Sequence, residues 1–120
     1  MIRVIVIDDE ELVALSCAVA LRAAGCEVSV AHDGASGLRL VTEQRPDVVV
    51  SDITMPDMDG LALAAALKAQ DATAHIPVLL ISGNTQPGEK DCAAFLPKPF
   101  VVRDLVDTVK RLAASRQKKS

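Results

Sequence analysis

The sequence predicts a doubly wound α/β domain built on a single five-stranded parallel sheet, and three observations carry that expectation. Short β-branched runs alternate with longer amphipathic stretches, as strands alternate with helices in a parallel sheet. Two of those runs, Arg3–Ile7 and Asp47–Ser51, are almost unbroken apolar segments, as strands covered on both faces should be. The chain has 120 residues, 50% of them hydrophobic, which suits one buried core rather than two.

After the strand at Arg3–Ile7, Leu12, Leu15 and Val19 recur at helical spacing within Glu10–Ala24, and Gly25 marks the stop. Glu27–Ala31 alternates polar and apolar residues, which suits an edge strand. A helix over Ala35–Gln44 follows the Asp33-Gly34 turn and is ended by Pro46. Asp47–Ser51 then leads into an acidic, turn-rich segment, and Asp59 is placed to cap a helix over Gly60–Ala69. Ile76–Ile81 and the short Ala94–Pro97 supply the last two strands. Val101, Leu105, Val109 and Leu112 give the final helix one apolar stripe.

Composition narrows the function. A net charge of −3 gives no general pull toward phosphate backbones, and two phenylalanines with no Trp or Tyr leave no platform for base stacking. Direct nucleic-acid binding is therefore not expected. Cys17, Cys26 and Cys92 fit no zinc spacing and read as reduced core thiols, which favours a cytoplasmic location. Neither a cleavable leader nor a membrane span is expected.

In doubly wound sheets, function sits beyond the carboxyl ends of the strands. Here the first strand delivers Asp8 and Asp9, the third Asp52, the fourth Ser82 and the fifth Lys98. Each has an ordinary explanation: acids favour a helix N-terminus, Asp and Ser favour turns. Lys98 between Pro97 and Pro99 is harder to dismiss, because an ammonium at an apolar strand exit needs a counter-charge. Together the set suits a hard divalent cation and a phosphoryl group. Two carboxylates about 4 Å apart repel by roughly 4 kcal/mol at an effective dielectric near 20, and a cation relieves this. Mg²⁺ is the expected ion, with Mn²⁺ as a substitute; zinc is disfavoured because neither His32 nor His75 is expected at a strand end.

Val6-Ile-Asp-Asp-Glu10, Asp52-Ile-Thr-Met-Pro-Asp-Met-Asp-Gly60, Ser82 and Leu96-Pro-Lys-Pro-Phe100, in this order, closely resemble the receiver domain of two-component response regulators. The resemblance covers nearly the whole chain and implies a flavodoxin-like sheet of order 2-1-3-4-5. It implies that Asp52 is the phosphoacceptor, served by a histidine kinase or a histidine phosphotransfer protein. Asp9 and Asp52 would ligate Mg²⁺ with the Thr54 carbonyl, and Asp8 would act mainly through a water. Lys98 and Ser82 would contact the phosphoryl oxygens, with Asp52 and Lys98 as the chemically active pair and a cis Lys98–Pro99 peptide. Ser82 and Phe95 would form the conformational switch, Phe95 standing where the family usually has an aromatic residue that turns inward. Thr54 and Asn84 fall where the family tunes attack of water. The domain is thus expected to be a signalling module, not an enzyme, that assists its own phosphorylation and dephosphorylation and acts on a downstream protein or a fused domain.

The segment between Ser82 and Phe95 has only 12 residues and contains Pro87-Gly88, so the fourth helix is expected to be shortened or missing. The usual receiver dimer face, which uses that helix, is correspondingly doubtful. Residues 1–114 are expected to form the receiver and 115–120 a basic tail or the start of a linker, in a chain that is stand-alone or cut from a larger regulator or hybrid kinase. A haloacid dehalogenase-type phosphatase would need Asp-x-Asp after the first strand, and a nucleotide-binding flavodoxin relative a Gly/Ser/Thr-rich loop there; Asp8-Asp9-Glu10 is neither. A docking-only pseudo-receiver would not need the full set of Asp8, Asp9, Asp52, Ser82 and Lys98.

Overall fold

The computed structural model describes residues 1–117. Five parallel strands, β1 (Arg3–Ile7), β2 (Glu27–Ala31), β3 (Val48–Asp52), β4 (Val78–Ser82) and β5 (Ala94–Pro97), form one sheet in the order β2-β1-β3-β4-β5. The helices are α1 (Glu11–Ala23), α2 (Gly34–Gln44), α3 (Gly60–Lys68) and α4 (Val102–Gln117). The expected fold class and strand order are both present. Between β4 and β5 no helix forms among the described residues, only a turn in which the Asp91 amide donates to the Gly88 carbonyl. α4 is therefore the helix that follows β5. It runs through Ser115 to Gln117, while residues 118–120 of the expected basic tail lie outside the described residues.

Two cores lie on opposite faces of the sheet because alternate strand residues point to opposite sides. Val4, Val6, Val50 and Leu79 face α1 and α4, meeting Ala14, Ala18, Leu21, Leu105 and Val109. Ile5, Ile7, Val49 and Leu80 face the other way, toward Val41 of α2 and Leu63 and Leu67 of α3. Each such Val, Leu or Ile stabilises the fold by roughly 1.5–3 kcal/mol relative to its exposure in water.

Caps set the helix limits. The Asp59 carboxylate accepts the Ala62 amide at 2.8 Å and starts α3, as expected, and Asp33 does the same for α2 through Ser36 at 2.7 Å. α2 ends at Gln44 because Arg45 turns left-handed, at φ 46°, ahead of Pro46.

Three local expectations are corrected. On α1, Leu12, Leu15 and Val19 are 79%, 54% and 56% exposed, and the packed face is Ala14, Cys17, Ala18 and Leu21. Small residues let α1 lie close on the sheet, which bulky ones at those positions would prevent. On α4, Leu105 and Val109 are buried as expected and Leu112 packs in part, but Val101 is exposed ahead of the first turn. All three cysteines are free; Cys17 and Cys26 are buried, whereas Cys92 is only half-buried. Burial pushes the Cys17 thiol up to about 11.

Candidate functional site at the carboxyl edge

Strand register assembles the site. Ile7 pairs with Ser51, Asp52 with Ile81 and Ser82 with Pro97, so the residues that leave these strands emerge on neighbouring rungs. Asp8, Asp52 and Ser82 are buried, and Lys98 follows directly from β5, its amide donating to the Ser82 carbonyl at 2.9 Å. The Lys98–Pro99 peptide is cis.

Lys98 finds the counter-charges that its position demands. Its ammonium donates to Asp52 Oδ2 at 3.5 Å and lies 4.0 Å from Asp8 Oδ2. The other Asp8 oxygen, Oδ1, accepts the Glu10 amide at 2.9 Å at the entrance of α1. Asp8 thus serves the helix terminus and the acidic edge together, so its two readings do not exclude one another.

Burial pushes Asp8 up to about 6; the Glu10 amide opposes this and the neighbouring Asp52 charge adds to it. Burial likewise raises Asp52, against the opposing pull of Lys98. One cation is too little for these acids.

One carboxylate oxygen from each of Asp8, Glu10 and Asp52 lies within 4.8 Å of the other two. Three hard oxygen donors without a thiol or an imidazole among them fit a divalent ion such as Mg²⁺ far better than zinc. Asp9, expected as a direct ligand, is exposed and is not in this group, which includes Glu10. The only sequence signal for Glu10 is its adjacency to Asp8 and Asp9. His32, which was not expected at a strand end, follows β2 directly, and its Nδ1 lies 3.2 Å from the Asp8 carbonyl oxygen.

Ser82 points elsewhere than Asp52: its hydroxyl donates to Asn84 Oδ1 at 3.0 Å. Thr54 donates to the same oxygen at 3.1 Å and so joins the loops after β3 and β4. Phe95 is half-buried against the α2/α3 core. Gly60 is required for close approach, since a Cβ there would lie 2.4 Å from the Asp52 carbonyl oxygen.

A parallel sheet of this order, with buried acids facing one lysine across its carboxyl edge, is that of a doubly wound α/β domain whose function lies at that edge. The chain belongs to the response regulator receiver domain family, which it matches over residues 4–110. It is 41% identical to the transcriptional regulatory protein PrrA of Mycobacterium leprae (strain TN), the alignment covering 95% of this chain and 51% of that protein. The chain thus spans about half the length of the curated relatives it matches. Among solved structures it resembles the Vibrio cholerae chemotaxis protein CheY4, at a TM-score of 0.85 and 30% identity over 93% of this chain and 98% of that one. A Clostridium thermocellum response regulator receiver domain superposes at a TM-score of 0.90 with 25% identity, over 100% of each chain. The chain is a two-component receiver domain, a signalling domain, and its acidic cluster is of the kind that can hold a metal ion. No helix among the described residues is long and apolar enough to cross a membrane.

Proposed function

We propose that Asp52 is the phosphoacceptor and that the chain takes a phosphoryl group from a histidine kinase or histidine phosphotransfer protein with Mg²⁺ as cofactor. The observation that carries this reading is the buried Asp52 carboxylate, 3.5 Å from the Lys98 ammonium and grouped with the Asp8 and Glu10 carboxylates. In the transfer, the P–N bond of a phosphohistidine breaks with its electron pair returning to the imidazole, and a P–O bond forms to an Asp52 oxygen. Such transfers depend on positioning and charge neutralisation more than on covalent assistance.

Burial fixes the Asp52 carboxylate at the end of β3, and Lys98 offsets negative charge on the incoming oxygens. Asp8, Glu10 and Asp52 are the carboxylates placed to hold the ion; Asp9 and the Thr54 carbonyl are the further ligands that the family pattern assigns. When bound, the ion neutralises phosphoryl oxygens and the crowded acids. Ser82 gives its hydroxyl to a phosphoryl oxygen, and Ser82 with Phe95 carries the change outward. The exposed Leu12, Leu15 and Val19 lie on α1, which follows β1 from the acidic edge, and offer the donor protein an apolar seat.

Residues 1–114 are taken as the receiver, 115–120 as its flank, and the output as a downstream protein or a fused domain. The gap between β4 and β5 weighs against a symmetric phosphorylation-driven dimer through that flank. Acetyl phosphate with Mg²⁺ is expected to add one phosphoryl mass to the chain, and Asp52→Asn or removal of Mg²⁺ to abolish the gain. A gain that survives Asp52→Asn would overturn the assignment.

A further inference from the structure

Asn84 Oδ1 is a meeting point for three hydroxyls: Ser82 donates to it at 3.0 Å, Thr54 at 3.1 Å and Thr85 at 3.3 Å. A hydroxyl has one proton and two acceptor positions. Ser82 Oγ accepts the Asn84 amide at 3.2 Å and the Thr85 amide at 3.0 Å, so both acceptor positions are filled and only its proton remains to be placed. That settles which end of the Asn84 side chain faces Ser82, because an NH₂ group there would meet an oxygen with no lone pair to spare.

Three donors compete for an oxygen that has two lone pairs. When Ser82 leaves, Thr54 and Thr85 still satisfy Asn84, so departure leaves no orphaned acceptor. The cost falls on Ser82 alone, which needs another acceptor of comparable strength.

We propose that Asn84 is a positioning residue that parks the Ser82 proton in the unphosphorylated chain, and thereby sets how strongly a phosphoryl group must compete to capture it. This rests on the phosphoacceptor reading of Asp52. Parking favours the unmodified state by about one hydrogen bond, so it opposes phosphoryl capture until the charged phosphoryl oxygens supply a better partner. The Thr54 hydroxyl, which stays behind, keeps the loops after β3 and β4 joined while Ser82 moves.

The test is calorimetric titration of the full chain with beryllofluoride and Mg²⁺, together with amide hydrogen exchange at Thr85 in the metal-free protein. Asn84 is exposed and its replacement leaves the core untouched. Asn84→Ala is expected to bind beryllofluoride about fivefold more tightly, the factor one ordinary hydrogen bond is worth. It should also lose protection at the Thr85 amide, because an unparked Ser82 no longer holds its oxygen still. In a Ser82→Ala background the same substitution should change the affinity by nothing measurable. Unchanged or weaker binding by Asn84→Ala, unchanged Thr85 exchange, or an equal gain in the Ser82→Ala background overturns the role of Asn84 alone. Failure of the unsubstituted chain to bind beryllofluoride overturns the phosphoacceptor reading itself.

Discussion

The carboxyl edge and the β4–β5 flank of the same sheet are built to different standards. At the edge, each buried polar group has a named partner: Asp8 the Glu10 amide and Lys98, Asp52 Lys98 at 3.5 Å, Ser82 two loop amides and Asn84. At the flank, the connection from Gly83 to Ala93 forms no helix, and it leaves Phe95 and Cys92 half-buried. The difference teaches that residues at strand ends are placed by register whatever the crossover does, whereas the surface between β4 and β5 depends on the crossover itself. The acids and the lysine of the edge are brought together, while between β4 and β5 no helix forms among the described residues.

Removal of the cation from the edge is the hardest strain on that contrast. Lys98→Ala is expected to slow phosphorylation by acetyl phosphate about a hundredfold, as loss of one preorganised charge-stabilising donor does, while the fold persists. Mass spectrometry over a time course reads this directly. The contrast breaks if Phe95→Ala slows the reaction as much, for then the flank would be part of the chemistry.

Stability should rank the two regions the same way. Leu80→Ala removes a fully buried side chain from an interior strand of the sheet and should cost about 2–5 kcal/mol in denaturant unfolding. Phe95→Ala removes more atoms but from a half-covered site, and about 1–2 kcal/mol is expected. Equal costs would mean that the flank packs as tightly as the core.

The edge was far more legible in the sequence than the faces of the helices. Asp8, Asp52 and Ser82 each end or follow a run whose β-branched residues mark a strand, and Lys98 follows the short apolar Ala94–Pro97, so a correct strand count puts all four at one edge without any tertiary information. α1 defeated the same method because it carries two apolar faces at helical spacing, Leu12-Leu15-Val19 and Ala14-Cys17-Ala18-Leu21. Hydropathy favours the first, but close packing on a sheet favours the smaller side chains of the second. Glu10 and Asn84 were illegible as contacts for another reason. Their partners depend on how a loop turns within two residues of a strand end, and side-chain pattern does not encode that direction.

The acids of the edge give a pH dependence with a definite sign. Asp8 titrates at about 6 in the folded chain against an ordinary 3.8, because burial disfavours its charge, and Asp52 is shifted the same way. Between those values the folded state binds more protons than the unfolded one, so metal-free stability falls as pH rises from about 4 to about 6, by on the order of 2 kcal/mol. Mg²⁺ binds the ionised acids and should restore that loss above about pH 6. Thermal melts should therefore show a larger gain from Mg²⁺ at about pH 7.5 than at about pH 5. Metal-free stability that climbs across this window would mean that Lys98 already neutralises the acids.

Gly83 supplies the finest test, because the edge and the flank meet there. A Cβ at Gly83 would touch only Lys98 Cβ, at 3.5 Å, which is ordinary contact, and its backbone is not left-handed. We take glycine there to keep the mouth open for a bulky histidine donor, a matter of access and not of internal packing. Gly83→Ala should change unfolding free energy by no more than about 0.5 kcal/mol and leave the slow reaction with acetyl phosphate, a small donor, unaltered. Transfer from a phosphorylated histidine protein is where a methyl group at the mouth should register, as a lower transfer rate at unchanged stability. An equal effect on both donors would place the constraint in the position of Lys98 rather than in access to Asp52.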